Sequence, residues 1–205
     1  MKKTLAQIAA ELRAKAAKLK YVGRGGLKLE HALKEFQVDP ANKICLDVGA
    51  STGGFTDCLL QHGAKKVYAV DVGYGQLAWK LRQNKKVVVL ERQNIRELKK
   101  EQIAEPIRLV TIDVSFVSLK KIFPGLQPFL APKAQVIALI KPQFEVGKKE
   151  VETGGVVTDP ELHKRVVAEI TDAGGKEHWE FKATTPSPIL GADGNREFLI
   201  LFEGH

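Results

Sequence analysis

Apolar runs of strand length recur along the chain at 43–48, 66–71, 86–90, 108–113, 135–140 and 197–202. Each is only a few residues long and rich in Val, Ile and Leu, the pattern of buried strands. Between them lie stretches whose apolar positions repeat with helical spacing, at 54–62 and 75–83. A longer helix is predicted over 159–173, opened by Asp159-Pro160 with proline in the first turn and closed by Ala173-Gly174-Gly175. Strands alternating with helices predict an α/β fold, a doubly wound, mostly parallel sheet. Glu177 to Thr184 reads as a further strand antiparallel to 197–202, because Pro186 to Asn195 between them is turn-rich. The last strand is therefore expected to run against the others.

The front of the chain departs from this rhythm. Leu5, Ile8, Leu12, Ala16 and Leu19 make one helical stripe among lysines. Tyr21-Val22-Gly23-Arg24-Gly25-Gly26 then reads as a glycine-rich hinge, which divides a basic arm (1–20) from a body (21–205). A short helix around Leu27 to Phe36 should stop before Asp39-Pro40.

Composition narrows the classes. In 205 residues, 44% hydrophobic and 27% charged, no apolar run approaches the ~20 residues of a membrane span. No apolar leader precedes residue 20, so a cytoplasmic protein is expected. Cys45 and Cys58 stand apart in apolar surroundings and read as buried thiols, and the five histidines lack ligand spacing, so no metal is expected. The net charge of +8 is concentrated in front: from Met1 to Lys28, eight lysines and arginines stand against Glu11 alone. Such an arm suits a polyanionic partner or a solvated helix face, and the two are compatible.

Chemistry concentrates where the first strand ends, in Asp47-Val48-Gly49-Ala50-Ser51-Thr52-Gly53-Gly54-Phe55. A glycine-rich turn from strand to helix marks the ligand edge of a doubly wound sheet. Gly49, Gly53 and Gly54 lack the GxGxxG spacing of dinucleotide sites, and no phosphate-binding GK[ST] is present. Instead Asp47 ends the first strand and Asp71 the second, where a carboxylate can accept hydrogen bonds from both hydroxyls of a ribose. Further along, Asp113 and Lys141 end two more strands, Glu197 opens the last, and Lys28 lies ahead of the first strand. A neutral ribose hydroxyl is a poor nucleophile, and a lysine steered by carboxylates can take its proton or hold the developing oxyanion.

The loop and the two strand-end acids resemble class I S-adenosylmethionine methyltransferases. That resemblance implies that Asp47, Gly49, Ser51, Gly53, Gly54 and Phe55 surround the methionine part of the cofactor. Asp71 then holds its ribose, Asn94 and Ile95 flank its adenine, and Asp113 borders it. Tyr21–Leu29, Asp47–Asp57, Asp113–Phe116, Lys141–Glu145, Gly154–Val157 and Arg196–Phe198 together are similar to the TlyA family of FtsJ-like (RrmJ-like) 2′-O-methyltransferases. The resemblance spans about residues 21 to 203 and implies a catalytic Lys28, Asp113, Lys141 and Glu197. It further implies S-adenosyl-L-methionine as cofactor and ribosomal RNA or ribosomal subunits as partner, with cytidine ribose as the target.

Members of that family usually begin with an S4-type RNA-binding module. None is legible upstream of residue 21, which leaves a shortened form or one that docks RNA differently. The family also carries a haemolysin label, but the first ~19 residues lack the Trp- and Phe-rich apolar face of a membrane-surface helix. A base N-methyltransferase is disfavoured because Asp113-Val114-Ser115-Phe116 lacks the prolines of the [DNS]PP[YF] motif. A non-catalytic RNA-binding protein that keeps the fold is the remaining alternative. Aromatic residues make up only 7%, so recognition is expected to lean on phosphate contacts and RNA shape.

Overall fold

A computed structural model describes residues 20–191 and 194–205. Seven strands are β1 (Ile44–Val48), β2 (Lys66–Asp71), β3 (Val87–Glu91), β4 (Ile107–Ile112), β5 (Leu130–Ile140), β6 (Glu180–Pro186) and β7 (Phe198–Glu203). They form one sheet in the order β3-β2-β1-β4-β5-β7-β6. Neighbours among β1 to β5 pair parallel, and β7 runs antiparallel between β5 and β6. The α/β class and the antiparallel last strand are as the sequence predicts.

Among the described residues four α-helices, α1 (Gly25–Glu35), α2 (Gly54–Gln61), α3 (Trp79–Arg82) and α4 (Pro160–Lys176), accompany the sheet. Alternate strand residues are buried on opposite faces, which explains runs of aliphatic residues instead of apolar-polar alternation. On one face Val110, Val136, Ile200 and Phe202 pack with Val166 and Ile170 of α4 and with Phe123 and Trp179. On the other, Cys45, Leu109, Ile137 and Leu199 pack with Leu29 and Leu33 of α1 and Phe55 and Leu59 of α2. Both cysteines are free and buried, as expected.

Three expectations need correction. The segment 21–26 is no hinge: Tyr21 is only 2% exposed, Val22 N donates to Asp57 Oδ2 at 2.9 Å, and α1 begins at Gly25. Its glycines serve close contact, since a Cβ on Gly26 would fall 2.3 Å from the Tyr21 ring. The helix expected at 75–83 shrinks to Trp79–Arg82, because Gly75 N is drawn to Glu91 Oε1 (2.9 Å) and the chain before Ala78 is a bend. Finally, α4 continues through Gly174-Gly175, where the absent side chain makes room for Phe202, 2.4 Å from a Cβ on Gly174. The arm helix lies outside the described residues. No helix among the described residues is long and apolar enough to cross a membrane.

Candidate active site

The strand order turns at β1, whose neighbours β2 and β4 lead the chain away in opposite directions, and this opens a crevice at the carboxyl edge. The glycine-rich loop after β1 forms its floor. Gly49 has φ +82°, and a Cβ there would lie 2.4 Å from the carbonyl oxygen of Asp113, so only glycine lets the loop lean on the end of β4. Gly49 N and Ala50 N both donate to Val70 O, at 2.9 and 3.1 Å, and fix the loop against β2.

Two cavities flank the loop. One, of about 220 Å³, is lined by Lys28, Gly49, Ser51, Gly54, Phe55 and Asp113 among others. The other, of about 370 Å³, includes Asp71, Asn94, Ile95 and Val114, and shares Gly49, Ser51 and Asp113 with the first. Asp71 Oδ2 accepts from Ser51 N and Oδ1 from Gly73 N, both at 2.7 Å, so the carboxylate is aimed by two backbone amides. Asn94 Oδ1 accepts from Arg96 N at 3.2 Å, an Asx turn that presents the residue to the cavity wall, and Ile95 is buried beside it.

Two residues expected at the cofactor do not line these cavities. Gly53 faces away from the crevice, where a Cβ would meet Leu81 at 2.2 Å. Asp47 is fully buried behind the loop, where its oxygens accept from Thr56 Oγ1 (2.6 Å) and Thr111 Oγ1 (3.0 Å), tying β1 to α2 and β4. Burial pushes its carboxyl up to about 7, against the pull of the two hydroxyls. In the unfolded chain the same group ionises near ~4. The folded state therefore keeps a proton that the unfolded state loses, and this contribution to stability, full below about 4, is lost as the pH rises to about 7. Asp47→Asn should accordingly gain stability relative to the parent chain over that window. Melting curves across pH check this, and a constant difference contradicts it.

The four catalytic candidates meet as two ion pairs. Ile140 of β5 stands opposite Phe198 of the antiparallel β7, so Lys141 and Glu197 emerge together at the carboxyl edge, next to Asp113 at the end of β4. Lys141 Nζ lies 2.7 Å from Asp113 Oδ1 and donates to Ser115 Oγ at 2.9 Å. Lys28, from the first turn of α1, pairs with Glu197, and both are buried, at 8% and 2% exposure. A cavity of about 460 Å³ is lined by Lys28, Lys141 and Glu197 together with Ser115, Phe116 and Phe144.

Several residues that shape this cavity escape sequence reasoning. Phe116 is 90% exposed in the left-handed region (φ 64°), its ring 5.0 Å from that of Phe144. Glu145 accepts from Ser118 Oγ (2.5 Å) and Leu119 N (2.8 Å), which pins the loop that carries Ser115 and Phe116. Asn195 bonds Gly155 O (2.9 Å) and Val157 N (3.0 Å), stapling the Gly154–Val157 segment to the approach of β7. Their only signal in the sequence is membership of, or adjacency to, the motifs Asp113–Phe116, Lys141–Glu145, Gly154–Val157 and Arg196–Phe198.

Comparison with known proteins gives the family and the fold. The model of the FtsJ-like methyltransferase family matches residues 21–203. The chain is 47% identical over 180 residues to the 16S/23S rRNA (cytidine-2′-O)-methyltransferase TlyA of Mycobacterium tuberculosis, covering 88% of this chain and 67% of that one. A hemolysin-named protein from Lactococcus lactis has a crystal structure that superposes with a TM-score of 0.89 at 46% identity, over 92% of this chain and 90% of that one. Fibrillarin from Aeropyrum pernix, crystallised with S-adenosyl-L-methionine, shares the fold at 16% identity, with a TM-score of 0.59 over 85% of this chain and 74% of that one. With nearly its whole body matched by the family model, the chain belongs to the FtsJ-like methyltransferase family.

Proposed function

We propose that the chain transfers a methyl group from S-adenosylmethionine to the 2′-hydroxyl of a cytidine ribose in ribosomal RNA, acting in the cytoplasm on ribosomal subunits or large folded RNA. The observation that carries this reading is the junction at Asp113, which borders both loop-side cavities while its Oδ1 lies 2.7 Å from Lys141 Nζ. A donor site and an amine thus meet at one residue. The choice of cytidine and of ribosomal RNA follows the likeness to TlyA of M. tuberculosis.

The two adjacent cavities, which share Gly49, Ser51 and Asp113, suit a ligand with an amino-acid end and a nucleoside end. Gly49, Ser51, Gly54 and Phe55 would hold the first, with Gly53 and Asp47 supporting the loop from behind. Asp71 would accept from the ribose hydroxyls with its remaining lone pairs, and Asn94 and Ile95 would flank the adenine. Bound there, S-adenosylmethionine supplies an electrophilic methyl group on a positively charged sulfur. Lys141, aimed by Asp113 and Ser115, takes the proton of the 2′-hydroxyl or stabilises the negative charge that grows on its oxygen. The Lys28–Glu197 pair forms the opposite wall. Phe116 offers an exposed ring on which an unstacked base can lie, the usual way proteins hold a single RNA base.

Incubation with methyl-labelled cofactor and ribosomal subunits that lack the modification tests the proposal. Digestion to nucleosides should place the label in 2′-O-methylcytidine. Label on a base, or none, contradicts it.

A further inference from the structure

We propose that Arg24 grips the phosphodiester beside the target ribose and so anchors the acceptor against Lys141, an assignment that rests on the RNA 2′-O-methylation reading above. In Gly23-Arg24-Gly25-Gly26 only Arg24 carries a side chain. The glycines on either side press the backbone onto the cofactor loop and the catalytic edge. A Cβ on Gly23 would fall 2.8 Å from Thr52 Oγ1, and one on Gly25 would fall 3.4 Å from the Phe55 ring and 3.5 Å from Asp113 Oδ2. The root of the Arg24 side chain is thereby fixed beside the reacting groups. From there the exposed side chain lines both the loop cavity and the cavity of Lys141, as does Lys28 one helical turn further on.

Charge then decides what Arg24 is for. Lys141 is matched by Asp113 and Lys28 by Glu197, whereas among the described residues Arg24 has neither an ion-pair partner nor a side-chain hydrogen bond. Its charge is the unmatched one of these three cations, held at the mouth of the acceptor cavity. The acceptor brings an anion to that mouth, because the 3′ carbon next to the reacting 2′ carbon carries a phosphodiester. A guanidinium presents two parallel donors that match a pair of phosphate oxygens, and its charge does not titrate in the working range. The donor side is the less favourable place for it, since the sulfonium is itself positive.

The test uses the full chain as parent, Arg24→Gln and Arg24→Lys, with deproteinised 16S and 23S rRNA as the binding probe over a salt series. The cofactor is titrated separately by calorimetry. Removing one charge-assisted phosphate contact should weaken RNA binding by about ten-fold or more in Arg24→Gln. It should also flatten the slope of log K against log salt by about 0.7–0.9, the share of one phosphate. Cofactor affinity should stay at the parent level, and Arg24→Lys should recover the slope while falling short of full affinity. A glutamine variant with the parent slope and affinity overturns the assignment. So does one that loses cofactor affinity while binding RNA normally, which would place the guanidinium on the methionine carboxylate. A parent chain that methylates neither free rRNA nor ribosomal subunits lacking the modification contradicts the functional reading itself, whereas an active parent with an unaltered glutamine variant contradicts only the role of Arg24.

Discussion

Lys141→Ala should cut methyl transfer by ~10²–10⁴, the range typical of acid–base groups, while cofactor binding and the fold persist. The amine is held by Asp113 and Ser115 and lines the acceptor cavity but neither of the two loop-side cavities, so its loss removes chemistry without opening the donor site. Lys141→Arg separates its two possible roles. A guanidinium keeps the positive charge but cannot accept a proton at working pH. Substantial turnover in the arginine variant points to stabilisation of the oxyanion, and loss as deep as in alanine points to proton removal. Single-turnover rates beside calorimetric cofactor affinities read both outcomes. An alanine variant as fast as the parent removes Lys141 from the mechanism.

The second large effect concerns stability. Glu197→Ala should destabilise the fold by about 3–5 kcal/mol, because it strands the buried Lys28 ammonium without its partner. In a chain of this size that corresponds to a fall in Tm of roughly ten degrees. Replacing both members with apolar residues of similar size, as Lys28→Met with Glu197→Leu, should restore most of the stability, since a well-packed apolar pair avoids the desolvation penalty altogether. It should not restore methyl transfer. Thermal melts and rates on the single and double variants separate the structural from the chemical role of the pair. A double variant as unstable as Glu197→Ala would mean that the surrounding cavity, not the unpaired charge, sets the cost.

The parts of the fold that sequence pattern reveals are those fixed by local burial. The inner strands β1, β2, β4 and β5 are legible because both their faces are covered, so each reads as an aliphatic run whose end places Asp71, Asp113 or Lys141, whereas the exposed edge strand β6 has no such run. Where a non-local contact overrides the pattern, the reading slips. Leu77 and Leu81 have helical spacing, yet Leu77 lies ahead of α3 because both leucines pack against Gly53. β5 starts at Leu130, five residues before the predicted run, and the register shift between Ile107 and Leu109 of its partner β4 accommodates that irregular beginning. The glycines at 23–26 suggested freedom and instead serve close packing of α1 on the loop, a distinction that only the partner surface can make. In the site, acidic and basic strand ends could be read singly. Their pairing could not, because it depends on β7 lying beside β5, and the strand-end position of Asp47 does not reveal that its oxygens accept from Thr56 and Thr111 behind the loop. Arg24, Ser115 and Phe116 stand in motifs of the sequence, but that they line one cavity is visible only in the fold.

Whether this chain 2′-O-methylates cytidine in ribosomal RNA is decided by nucleoside mass spectrometry of rRNA from cells that lack it. 2′-O-methylcytidine should fall in the deletion strain, return when the chain is restored, and stay low when Lys141→Ala is supplied at equal abundance. An unchanged 2′-O-methylcytidine content on deletion, or full restoration by Lys141→Ala, would contradict it.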